Sequence, residues 1–384
     1  MTKKTNHNWQ TKKLGEVSKI NYGYTEKASF KGIGPKFLRI TDIQDNCVDW
    51  ETVPFCKIGK NALYKYLLSE GDIVFARTGA TTGKSFLLTN PPLAVFASYL
   101  IKLRILDLEI LAPEFLFLFF QTKTYWDKIE TGLSGSAQGG FNATKLAEIS
   151  VPLPPLSEQQ RIVAILDEAF AAITTAKENA EKNLQNAREL FESYLQSVFA
   201  NPGDGWEKKT LNQISENLDS KRVPITKNVR SSGSYSYYGA SGIVDYVDEY
   251  IFDDDLLLIS EDGANLLART YPIAFSISGK TWVNNHAHVL RFQNMASQRF
   301  VEFYLNSIKL DDYVSGMAQP KLNQKMLNTI VIPYPPLHEQ RTIVTKLDAI
   351  SAETKKLEAI YRQKLTDLDE LKKSVLEKAF GGDL

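Results

Sequence analysis

Three stretches of this sequence carry residue types that could do chemistry. The first is DIVFARTGATTGKSFLL, residues 72–88, where a glycine-rich loop ends in Gly-Lys-Ser after an apolar run. A loop that cradles ATP or GTP phosphates needs four residues between its glycines, then a helix whose N-terminal amides hold the anion. Gly79 and Gly83 are separated by only Ala80, Thr81 and Thr82, and Pro91 and Pro92 follow too soon for a helix. The stretch is therefore expected to be a β-hairpin with a basic, hydroxyl-rich tip. The second stretch is TNPPLAV, residues 89–95. Asn-Pro-Pro followed by an aromatic ring suits stacking on a flipped base, but Leu93 stands where the ring belongs, and a turn between strands is expected. The third is VNNHAHVLRF, where His286 and His288 share one face of an expected strand. A metal site needs further ligands. Asp253, Asp254 and Asp255 are acidic enough, but nothing in the sequence brings them near. Cys47 and Cys56 have no metal-type spacing, and with four histidines no nucleophile–base set stands out. No catalytic, cofactor-binding or metal-ligating residue is assigned.

The same residues suit contact better than catalysis. Arg77, Thr78, Thr81, Thr82 and Lys84 offer one guanidinium, three hydroxyls and one ammonium. Arginine can bridge guanine in the major groove, while lysine and hydroxyls suit phosphates. The second half offers a more amide-rich set: Tyr237, Tyr238, Asn265, Lys280, Asn285 and His286, with Gln138, Gln319 and Lys321 beside the repeated segments described below. The competing reading of each is plain solvated surface.

What must position these residues is a chain of 384 residues, long enough for two or three domains. Net charge is zero, yet residues 1–150 carry 19 basic and 14 acidic side chains, net +5. Positive potential for nucleic acid is thus local, or a partner supplies much of it. Two isolated cysteines suit a reducing compartment. The start lacks a leader-like apolar core and the longest apolar run, Phe115 to Phe120, is far too short for a bilayer. A cytoplasmic protein without a membrane partner is expected.

The chain is written twice. VPLPPLSEQQRIVAILDE at residues 151–168 recurs as IPYPPLHEQRTIVTKLDA at 332–349, a constant offset of 181. The offset also matches Ser134-Gly135 and Ala137-Gln138 to Ser315-Gly316 and Ala318-Gln319 upstream, and Ser193, Leu195 and Phe199 to Ser374, Leu376 and Phe380 downstream. Trp9, Leu14 and Val17 are echoed by Trp206, Leu211 and Ile214. After each Pro-Pro the pattern turns helical. Ile162, Leu166, Ile173, Leu184 and Phe191 in the first copy, and Ile343, Leu347, Ile350, Leu357, Leu365 and Leu368 in the second, fall at steps of three and four, with Thr354 a weak point. Each helix is expected to run for about 40 residues, roughly 60 Å, with the other copy as its partner. The segments between read as mixed α/β. The expected organisation is a mixed α/β domain at 1–150, a helical spacer at 151–200, a second mixed domain at 201–332 and a second spacer at 333–384.

With its duplicated PLPPLSEQQRIVAILD and PYPPLHEQRTIVTKLD segments, its long following helices and its two divergent domains, the chain resembles the DNA-specificity subunit of type I restriction–modification systems. YYGASGIVDYV…DDDLLLISEDGANLLAR…NNHAHVL looks like one recurrent recognition-domain type. The resemblance covers essentially the whole chain. It implies an α/β (α+β) fold: two target-recognition domains separated by a pair of long antiparallel coiled-coil helices, related by a pseudo-two-fold axis. It also implies that each domain reads half of an interrupted site on double-stranded DNA. Two methylation subunits and the restriction subunits would be partners, bringing S-adenosylmethionine, ATP and magnesium, with no cofactor bound by this chain. The alternatives are a coiled-coil adaptor without a nucleic-acid role and a stand-alone nucleotide-using or methylating enzyme.

Overall fold

A computed structural model of the chain describes residues 9–44, 47–133, 141–316 and 319–384. The chain forms two compact units, one of Met1–Asn179 with Lys364–Leu384, the other of Ala180–Gln363.

The first unit is built on a four-stranded antiparallel sheet in the order Ser18–Tyr22, Leu100–Ile105, Ile73–Ala76, Ser85–Leu87. The strand Ile73–Ala76 is buried on both faces, which is why it reads as an unbroken apolar run. Ile73 and Phe75 face a core shared with Phe115, Leu116 and Tyr125, while Val74 faces a second core with Leu38, Val53 and Phe96. The strand Gln10–Lys13 pairs antiparallel with Ser150–Leu153, and the Leu14 amide donates to the Ile149 carbonyl at 2.9 Å. The domain thus begins and ends on adjacent strands. The stretch APEFLFLFFQTKTYWDKI forms two helices, Pro113–Phe119 and Lys123–Leu133; the break falls at Thr122, whose hydroxyl donates to the Phe119 carbonyl at 2.7 Å.

The second unit repeats this plan. Its sheet runs Ser215–Asn217, Ala287–Phe292, Leu256–Ser260, Ala274–Ile277, again all antiparallel. Leu257 and Ile259 face one core, Leu256 and Leu258 another. Glu207–Thr210 pairs with Val331–Tyr334, and the Leu211 amide donates to the Ile330 carbonyl at 3.1 Å. A further sheet, Gly242–Val247, Ser232–Gly239, Lys280–Val283, Phe252–Asp253, has no four-stranded counterpart among the described residues of the first unit.

Each Pro-Pro opens a helix of 45 residues, Leu156–Ala200 and Leu337–Gly381, about 67 Å at 1.5 Å per residue. A buried glutamine clasps each start. Gln159 donates to the Ile110 and Pro154 carbonyls, both at 2.8 Å, and accepts from the Ala112 amide at 2.9 Å. Gln340 donates to the Pro335 carbonyl at 2.7 Å and accepts from the Ser297 hydroxyl at 2.7 Å. The glutamine shared by both repeats therefore ties helix to sheet domain.

Both helices contribute to both units and run antiparallel within each. In the first, Ile162 and Leu166 share a core with Leu376 and Ala379, and Lys177 pairs with Asp369. In the second, Arg188 pairs with Glu358 at 3.4 Å, and Leu195 packs with Val344 and Leu347. Of the expected seam, Ile162, Leu166, Ile173 and Leu347 are buried, while Leu184, Phe191, Ile343, Ile350, Leu365 and Leu368 are half-buried. Leu357 departs from the expectation: it is exposed, and the seam passes instead through Thr354, 4% exposed. The Thr354 hydroxyl stays inside by donating to the Ile350 carbonyl at 3.0 Å. Ala180 and Ala187 are also buried, small residues that let helix partners approach closely.

Candidate nucleic-acid interface

The glycine-rich stretch is a hairpin. Phe75 pairs with Ser85, and one 3₁₀ turn, Gly79–Thr81, makes its tip. Gly83 has φ +89°, and a Cβ there would stand 2.8 Å from Ile129. The Tyr125 hydroxyl donates to the Gly83 carbonyl at 2.7 Å. This glycine serves a close helix–hairpin approach, and a strand rather than a helix follows Lys84, so no anion-binding helix terminus stands there.

At the tip, Lys84 is exposed and Thr78 and Thr81 are half-buried. Thr82 is a correction: it is buried, and its hydroxyl donates to the Gly79 carbonyl at 2.7 Å, shaping the turn. Arg77 follows the central strand directly. Its amide donates to the Tyr99 carbonyl at 3.2 Å and its carbonyl accepts from the Phe141 amide at 3.0 Å. Its guanidinium lies 4.8 Å from the centre of the Tyr22 ring and, among the described residues, donates to the Ser98 carbonyl at 3.3 Å. Gln138 lies outside the described residues, as do Ser134, Gly135, Ala137 and Ala318.

Glu261 occupies the corresponding place in the second unit. Its amide donates to the His286 carbonyl at 2.9 Å and its carbonyl accepts from the Leu322 amide at 2.8 Å. Phe141 and Leu322 are themselves 181 apart, so one backbone frame holds arginine in one unit and glutamate in the other. Glu261 is committed to neighbours, pairing with Arg222 at 2.6 Å and Lys321 at 3.2 Å. Beside it His288, 1% exposed, faces Asp219 through Nδ1 at 2.6 Å and the Leu322 carbonyl through Nε2 at 2.7 Å. Burial opposes the charge on Asp219. Hydrogen bonding and charge from His288, the Val289 amide and Arg222 outweigh that, holding its carboxyl below the usual range. Asp219, Glu261 and His288 bring three possible metal ligands together. Arg222 and Lys321 already serve the carboxylates, which makes the cluster an ion-paired core.

His286 and His288 do not share a face. The strand begins at Ala287, leaving His286 exposed in the preceding loop, with Nδ1 2.8 Å from Asp262. Asp254 pairs with Arg291, while the carboxylates paired with His286 and His288 are Asp262 and Asp219. Asn285, Gln319 and Lys321 are exposed, and Lys321 bridges to Asp262 through the backbone, so His286, Asp262 and Lys321 gather at one end of the sheet. Lys280 is exposed at the far end of the strand Lys280–Val283, its ammonium 4.8 Å from the Tyr250 ring centre. Tyr238 is half-buried against Phe275. One residue is corrected. Tyr237 is 1% exposed, packed with Val247 and Trp282, its hydroxyl accepting from the Ile225 amide at 3.2 Å. Asn265 spends both ends of its amide on the Tyr271 backbone, each at 2.9 Å, closing a loop. Sequence reasoning missed Tyr22, Ser98, Asp219 and Glu261. The only signal was position: Tyr22 ends a strand, Glu261 directly follows one, and Ser98 and Asp219 lie two residues beyond one.

The family of the type I restriction modification DNA specificity domain matches residues 6–184 and again 203–366. The chain belongs to that family. Its role is DNA sequence specificity. The chain is 32% identical over 210 residues to a putative type I restriction enzyme specificity subunit of Haemophilus influenzae, covering 50% of this chain and 52% of that one. It is 25% identical to the putative MjaX specificity subunit of Methanocaldococcus jannaschii over 98% of this chain and 93% of the relative. It is 26% identical to the EcoprrI specificity subunit of Escherichia coli over 91% and 90%. The fold matches a chain from a study of assembly and conformational transition of the type I R-M system, with TM-score 0.75 and 20% identity over 98% of both chains. It also matches the HsdS subunit from Thermoanaerobacter tengcongensis, with TM-score 0.65 and 22% identity over 98% and 97%. No helix among the described residues is long and apolar enough to cross a membrane.

Proposed function

We propose that this specificity subunit reads an interrupted, two-part site on double-stranded DNA. Residues 1–150 recognise one half and 201–332 the other, while the helical segments 151–200 and 333–384 set the spacing. One observation carries this: the same strand-end backbone frame occurs in both units and holds different side chains, Arg77 in one and Glu261 in the other. A shared frame with different side chains suits two readers of different short sequences. Two methylation subunits and the restriction subunits are the proposed partners. S-adenosylmethionine, ATP and magnesium chemistry would reside in them, in the cytoplasm.

The test is long-read mapping of adenine methylation in cells with and without this gene, its methyltransferase partner being present in both. Loss of one two-part motif supports the reading. Retention of every motif in cells lacking the gene refutes it.

A further inference from the structure

We infer that Arg77 fixes a guanine in the half-site read by the first unit, and that Tyr22 sets its aim. The inference rests on the DNA-reading role proposed above and assigns chemistry to one position within it.

Arg77 is held at three levels. Its backbone is fixed on both sides, to Tyr99 and Phe141. Its guanidinium lies over Tyr22, and that ring is pinned in turn because its hydroxyl accepts from the Ala143 amide at 3.0 Å. The single bond to Ser98 sets the rotation of the fork. Yet the fork is unsatisfied. Arg39, Arg104, Arg230 and Arg291 each give theirs to a carboxylate. Among the described residues no carboxylate pairs with Arg77, and its other N–H groups have no protein partner.

A rigid, charged, half-open fork needs two coplanar acceptors. On the major-groove edge of a base pair, guanine N7 and O6 provide them, and no other base does. Because stacking has already ordered the side chain, little rotamer freedom remains to be lost on binding. Lys84, exposed on the same hairpin, is placed for a phosphate.

The second unit cannot read at this place. Glu261 is 12% exposed and turned onto Arg222 and Lys321. The strand-end position is thus a reader in one unit and an internal support in the other. Recognition in the second unit falls to its exposed neighbours, His286 and Asn285.

The test uses the full chain with its methylation partner in cells, mapping methylated motifs for Arg77→Lys, Arg77→Ala, Tyr22→Phe and Tyr22→Leu. The unaltered chain should show a guanine, on one strand, at one position of a single half-site. Arg77→Ala should accept other bases at that position alone, with discrimination falling between about fivefold and a hundredfold. Arg77→Lys keeps the charge, loses the fork and should relax the same position. Tyr22→Phe keeps the ring but loses its hydroxyl pin and should relax the motif less than Tyr22→Leu, which removes the ring. If Arg77→Ala fails to fold, Arg77→Lys with an unchanged melting temperature decides. An unaltered motif in Arg77→Lys, or relaxation in both half-sites, overturns the inference while leaving the DNA-reading role standing. If the unaltered chain directs no motif at all, that role fails, and this assignment with it.

Discussion

The two long helices permit a quantitative test of how spacing is set. Their passage from one unit to the other falls between Asn179 and Ala180 in the first and between Gln363 and Lys364 in the second. Inserting four helix-forming residues at both junctions lengthens each helix by about 6 Å. Four residues turn the helix through about 400°, so downstream faces advance by only about 40° and the seam survives a local adjustment. Successive base pairs are about 3.4 Å apart along DNA, so about 6 Å lies between one step and two. The spacer between the methylated half-sites should therefore grow by about one to two base pairs while both half-sites keep their letters. The assay is methylome mapping in cells carrying the matched-insertion chain and its methylation partner. A spacer of unchanged length with methylation retained refutes the idea that helix length sets it. Altered half-sites with a constant spacer refute it equally. Insertion into one helix alone should abolish methylation, since it puts the antiparallel seam out of register.

Three further outcomes follow from packing. Gln159→Ala strips partners from the buried Ala112 amide and the Ile110 and Pro154 carbonyls; at about 1–3 kcal/mol for each unsatisfied group, not fully additive, the first unit should melt on the order of 10 °C lower by calorimetry. Asp219→Asn breaks a buried ion pair and should cost about 3–5 kcal/mol, read as a lower melting temperature for the second unit. The carboxyl of Asp219 is held low in the folded state, so its stabilisation is complete above about pH 4 and disappears as pH falls through the folded value; the gap between the unaltered chain and Asp219→Asn should narrow on acidification. Burial pushes the Cys56 thiol up to about 11, whereas Cys47 is exposed. A maleimide at neutral pH should label Cys47 within minutes and Cys56 only on unfolding, checked by peptide mass spectrometry.

The repeat was the most legible feature of the sequence because it obeys two independent rules. Helical periodicity has to persist for many turns, and the offset of 181 holds across Pro154-Pro155, Gln159 and Leu166 alike. Central strands were legible for a related reason: Ile73–Ala76 and Leu256–Ser260 are buried on both faces, which leaves an unbroken apolar signature. What stayed hidden depends on distant partners. Nothing local separates Tyr237, sealed beneath Arg230, from its neighbour Tyr238. The pairing of Asp219 with His288 spans 69 residues and carries no periodic trace. Thr354 looked like a break in the seam because its hydroxyl counts as polar, yet the helix backbone satisfies it and the side chain is buried. Arg77 was visible as a candidate by residue type, but its stack on Tyr22 depends on sheet register.

The neighbouring first and last strands of each sheet domain have a genetic consequence. In the first unit the chain comes in along Gln10–Lys13 and leaves along Ser150–Leu153, hydrogen-bonded side by side; in the second, Glu207–Thr210 and Val331–Tyr334 do the same. Everything between those strands departs from one point on the helix pair and returns to it. Beyond each outlet strand the gene encodes similar Pro-Pro and helix-start sequences. A crossover between two such alleles there would exchange an intact sheet domain and leave its clasp made by the equivalent glutamine. Exchange in whole blocks would then change what is read while each domain keeps its own first and last strands paired.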